Sequence, residues 1–150
     1  MEPTTTTYSI EPHVGAGPVK LGMKRDTARA AMLAMGHSHE EDVHAARDLF
    51  HSNSFQVFYD RADLAEYIEL SRSPDFKAIF KGEVILELPA DDAVRAVTRF
   101  AEYSSANPEL GWSYIFPALD LSLWRPATEG DEARTFRTIG AGRVGYYANL

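Results

Sequence analysis

Cysteine is absent from this chain of 150 residues, which excludes disulfides, thiolate metal sites and a cysteine nucleophile and fits a reducing compartment. No apolar run reaches the roughly 18 residues that cross a bilayer. The polar stretch Met1 to Ser9 lacks the basic and apolar regions of a signal peptide, so the expected location is the cytoplasm, away from membranes. Basic residues are outnumbered: 15 Lys and Arg against 22 Asp and Glu give a net charge of −7. The basic residues are also dispersed, whereas phosphate contacts need them clustered, so nucleic acid is not an expected partner. No serine sits in a Gly-x-Ser-x-Gly elbow, and internal repeats and low-complexity blocks are missing.

What is present is apolar patterning: 45% of residues are hydrophobic, enough to bury one core, and the expectation is a single domain over 1–150 with residues 1–7 frayed. Between Phe55 and Leu88, SFQVFYD, LAEYIELS, FKAIF and EVILEL follow one another with only turn chemistry between them, which predicts one antiparallel meander. Val84, Leu86 and Leu88 alternate with Glu83, Ile85 and Glu87, placing the first set on the buried face. Asp60 to Asp63 is a polar connection, and Lys81-Gly82 a tight turn that uses glycine's tolerance of positive φ.

Around this stretch the other elements fall into order. Tyr8 to Ile10 reads as a short edge strand and Val14 to Gly22 as a connection. Lys24 to Met35 is an amphipathic helix with Ala28, Ala31, Met32 and Met35 on its apolar stripe, stopped by Gly36. A second helix opens at Pro89 with Asp91 and Asp92 in its first turn, buries Ala93, Val94, Val97, Phe100 and Ala101, and ends near Ser105. Trp112 to Phe116 and Asp120 to Trp124 are strands, the second one-sided, and Arg125 to Glu132 is a charged loop. Thr135 to Ile139 and Val144 to Tyr147 form a closing pair about Gly140-Ala-Gly142. The predicted class is α+β, two main helices packed on a largely antiparallel sheet of six to eight strands.

Two segments invite a chemical reading. His37 to His51 carries four of the five histidines, but His39 and His44 are five apart, which turns them well away from each other on a helix and fails the zinc-helix spacing. The segment reads as a polar connector with a short helix around Val43 to Phe50, and no metal or other cofactor is expected. Gly140-Ala-Gly-Arg-Val-Gly145 matches the dinucleotide glycine pattern, yet too little chain follows for the helix that mechanism needs, so the glycines read as a hairpin turn.

Gly17-Pro-Val-Lys-Leu-Gly-Met-Lys-Arg-Asp-Thr-Ala-Arg-Ala-Ala-Met32 resembles the opening of small bacterial domains related to beta-lactamase inhibitory protein, in which a Gly-Met pair leads into a helix lying on an antiparallel sheet. Tyr67-Ile-Glu-Leu70, Ser113-Tyr-Ile-Phe116, Leu121-Ser-Leu-Trp-Arg125 and Gly140 to Tyr147 are similar to a family of bacterial proteins from toxin–immunity neighbourhoods. The resemblance implies a non-enzymatic binding protein, an immunity protein that neutralises a cognate protein toxin by direct contact, and the acidic balance of the chain suits a basic partner. Its contact surface would combine exposed carboxylates with aromatic anchors, and on the water-facing side of the strands the candidates are Glu66, Glu69, Asp120 and Trp124, with Tyr146 and Tyr147 beyond them. The alternative is a small hydrolase or ligand-binding domain that uses the His37 to His51 segment.

Overall fold

The computed structural model describes residues 5–36, 39–42 and 46–148, and its architecture follows from strands that bury alternate residues. In β1 (Thr6–Glu11) Tyr8 and Ile10 face inward and their neighbours outward, the period of a half-buried strand. A small hairpin, β2 (Gly15–Ala16) and β3 (Val19–Lys20), folds back on it. α1 (Arg25–Leu33) then buries Ala28 and Met32, and Gly36 follows its last turn at φ 82°, a backbone region open to glycine at little cost. Next come β4 (His39–Asp42), β5 (Arg47–Phe50), β6 (Phe55–Tyr59), β7 (Ala65–Ser71), β8 (Phe76–Phe80) and β9 (Glu83–Val84). α2 (Ala90–Thr98), β10 (Ser113–Phe116), β11 (Leu121–Trp124) and β12 (Thr138–Gly142) complete the order.

Five strands form one sheet in the order β3-β2-β1-β8-β9 and seven form another in the order β10-β11-β12-β7-β6-β5-β4. Every pairing between strands is antiparallel except β1 with β8. The protein is therefore α+β with two helices and largely antiparallel sheets, as its patterning predicts, although the described strands number twelve in two sheets rather than six to eight in one. The sheets share a core. Tyr8 packs against Phe55 and Phe76 at ring-centroid distances of 5.1 and 5.0 Å, and Phe50, Phe80, Ile68, Leu70, Ile85 and Leu123 are fully buried around them. Each such side chain contributes about 1.5–3 kcal/mol relative to exposure.

The expected meander breaks after β7. Within it, β6 and β7 pair as predicted, closed by a turn in which Asp60 accepts hydrogen bonds from the Ala62 and Leu64 amides at 2.8 and 3.1 Å. β8 does not continue that sheet: the Arg72 amide makes its last ladder bond to Arg137, Pro74 has no amide to offer, and the chain crosses to lie parallel to β1. β1 is consequently an interior strand, not an edge, and Thr6 and Thr7 are paired with Phe76 and Lys77 rather than frayed. The Lys81-Gly82 turn does form, with φ of 48° and 84°, positive at both central residues as a two-residue hairpin of the primed type requires. The strand after it stops at Val84. There the Glu87 amide bonds back to Val84, and Ile85 and Leu86 are both buried while Val84 and Leu88 are only partly so, which overturns the predicted alternation.

Three further boundaries differ. α2 ends at Thr98 and leaves Phe100 half exposed, its ring edge-on to Phe80. Arg47 to Phe50 is strand where a short helix was expected, with Val43 to Ala45 outside the described residues. Gly140 and Gly142 lie inside β12, and Val144 to Tyr147 form turns rather than a partner strand.

Candidate binding face

The seven-stranded sheet has its core on one side, and register specifies what its other side presents. Ile115, Ser122, Gly140, Glu69, Gln56 and Leu49 stand opposite one another across successive strands, and Gly142, Tyr67, Phe58 and Arg47 form the next row. Two glycines in adjoining rows remove the side chains that would hold other groups off the sheet. A Cβ on Gly140 would stand 1.7 Å from the Tyr67 hydroxyl oxygen, and one on Gly142 would stand 2.5 Å from Tyr146 Cβ. Tyrosine rings therefore lie flat over backbone. Tyr67 stacks on Tyr146 at 4.7 Å and 20°, while Tyr147 meets both rings edge-on.

Hydroxyl chemistry fixes this cluster. The Tyr147 hydroxyl donates to the Tyr67 oxygen at 3.1 Å, and Ser122 Oγ lies 2.9 Å from the same atom. Burial is the main cause that pushes the pKa of Tyr67, Tyr146 and Tyr147 above that of a free tyrosine, so all three remain neutral donors through the physiological range.

Asp120 is not where the alternation predicted it. It is only 2% exposed, sits at φ 49° ahead of β11, and accepts hydrogen bonds from the Gly145 and Tyr147 amides, each at 2.9 Å, and from His13 Nε2 at 2.9 Å. Its carboxylate ties the turn that carries Tyr146 and Tyr147 down onto the sheet. Glu66 is engaged as well, 3.3 Å from the Arg143 guanidinium that also holds Asp60 at 2.6 Å. Trp124 and Tyr146 are 37% and 41% exposed, and Glu69 is partly buried, its carboxylate without a hydrogen bond or ion pair among the described residues.

Glu69, Trp124 and Tyr147 come together on a pocket of about 400 Å³ that also takes in Tyr67, Ser122, Ile115 and Glu109. Sequence patterning missed Tyr67, Ser122 and Glu109 as members of the face. The available signal was the pair of glycines two apart in a strand, which marks a close approach by something bulky.

No family model, curated protein or solved structure matches this chain.

Of the histidine segment, His37 and His44 lie outside the described residues, and the His51 side chain is buried with its Nε2 2.8 Å from the Tyr8 hydroxyl. Among the described residues no three His, Asp or Glu side chains are grouped to hold a metal ion, and no helix is long and apolar enough to cross a membrane. A second pocket of about 440 Å³ at the seam of the two sheets carries Arg72, Lys77 and Arg137, but Lys77 is neutralised by Glu87 at 2.5 Å.

Proposed function

We propose that this protein acts by binding rather than by chemistry. The tyrosine-covered side of the seven-stranded sheet docks a basic protein partner, and that partner is a toxin the protein neutralises by occupying its surface. The observation that carries the docking is the face itself, where Trp124 and Tyr146 are exposed and Trp124 shares an open pocket with the partly buried Glu69. Rigid aromatic side chains offer large contact area at low entropic cost, and a carboxylate among them favours a basic partner. The toxin assignment follows the resemblance of Tyr67 to Leu70, Ser113 to Phe116, Leu121 to Arg125 and Gly140 to Tyr147 to proteins of immunity neighbourhoods, and the net charge of −7 favours association with a cationic protein.

Co-expression with the product of an adjoining toxin gene tests this. Cells should survive, a one-to-one complex should persist in gel filtration, and its association rate should fall as salt screens the opposing charges. Trp124→Ala should weaken the complex by about 2 kcal/mol or more if Trp124 is an anchor. Equal killing with and without this protein, and no complex at low salt, would overturn the proposal.

A further inference from the structure

The pocket on the binding face has a charge imbalance that the fold does not resolve. Glu69 and Glu109 line it, and no basic residue does. Glu69 stands mid-strand between Gly140 and Gln56, so its carboxylate is crowded by Tyr67 and Tyr147 instead of by water alone. Burial raises its pKa, and the charge of Arg47 only partly offsets this because Arg47 is bonded to Asp42 and Gln56. A partly desolvated carboxylate without a hydrogen-bonding partner costs stability. A cation arriving from outside would remove that cost.

The chemistry of the lining selects among cations. A metal ion needs several oxygen ligands in a closed set, and the described residues hold no such group. A quaternary ammonium has no donors, so it would leave the carboxylates without a hydrogen bond. An ammonium group is strongly hydrated, and stripping its water is costly. A guanidinium is planar, weakly hydrated, carries five donors and stacks on aromatic faces, which suits two carboxylates beside Trp124 and Tyr147. At about 400 Å³ the pocket sits near the small end of the range for ligand sites.

We propose that this pocket receives one arginine side chain of the docked partner, with Glu69 as its counter-charge and Trp124 or Tyr147 as its stacking surface. The proposal rests on the docking face described above. It is testable without the partner, by titrating the isotope-labelled protein with N-acetyl-arginine methylamide and with its lysine and citrulline counterparts, citrulline being the neutral shape match. Arginine should shift the Glu69, Ser122 and Thr138 amide signals and the Trp124 indole signal to saturation. Lysine should bind more weakly, and citrulline should leave the signals in place. Glu69→Gln should abolish the arginine response, whereas Glu129→Gln, at an exposed site outside the pocket, should retain it. Citrulline matching arginine, or Glu69→Gln binding arginine as the unaltered protein does, would overturn the assignment. With the complex in hand the two readings separate. Loss of affinity of about tenfold or more in Glu69→Gln supports the arginine. Loss only in Trp124→Ala leaves docking intact and removes the arginine, and loss in neither variant removes the docking face.

Discussion

Gly140 sets how closely Tyr67 can approach the sheet. A methyl group there would displace a ring that is already confined by Tyr146, Ser122 and Phe58, so overpacking should cost Gly140→Ala about 1–3 kcal/mol in chemical denaturation. Combining it with Tyr67→Leu should cost less than the two single losses added, because the clash is then gone. Glu69 makes the opposite kind of prediction. Between the ordinary glutamate value of 4.5 and the raised value in the fold, the native protein keeps a proton that the unfolded chain has released, so stability falls as pH rises through that window. Glu69→Gln should therefore melt higher than the unaltered protein at neutral pH, with the difference fading as pH drops below the window. A lower melting temperature for Glu69→Gln at neutral pH would show that the carboxylate is satisfied in the free protein. At this scale alternation put Glu69 and Trp124 on the outward side of their strands, but it extended one residue too far at Asp120. There the chain is still in a left-handed turn, φ 49°, so a period of two does not apply.

Elements were readable where local chemistry decides them. The Lys81-Gly82 hairpin, the Asp60 turn and both helix starts each depend on a few adjacent residues, and each is present. The crossing of β8 to the other sheet depends on a partner far away in the chain, and alternation says which face is buried without saying which strand lies alongside. Pro74 was the one local clue. The stretch after β9 supplies a test of the corrected geometry. Ile85 and Leu86 are both buried, so Ile85→Asp and Leu86→Asp should each cost about 3–5 kcal/mol by stranding a carboxylate, while Val84→Asp should cost less. A continuous strand would instead leave Ile85→Asp benign. Yields of soluble protein and denaturant midpoints for the three variants distinguish the two.

At the scale of the molecule, the two sheets are joined by side chains as well as by chain. Tyr8 in one touches Phe55 in the other, and its hydroxyl engages His51 at the β5–β6 turn. A core shared in this way should unfold as one unit. Tryptophan fluorescence reports the β10–β11 region, where Trp112 and Trp124 lie, and far-ultraviolet dichroism reports both sheets, so the two transitions should coincide. Separate midpoints would mean that the smaller sheet is held only loosely.

The position of β12 has a consequence for the order in which the protein can assemble. β12 lies between β7 and β11, so neither of those strands has its native neighbour on that side until the last of the described strands has been made. Likewise β1, paired with β2 on one side, lacks β8 on its other side until the whole of the intervening chain has been made. Such distant closures slow folding because chain entropy is lost before contacts reward it. During synthesis β6 and β7 can pair early as a local hairpin, with one flank open and ready to accept a foreign strand. A nascent chain arrested before Thr138 should accordingly be a client of chaperones, and release of β12 should be the step that makes it protease-resistant.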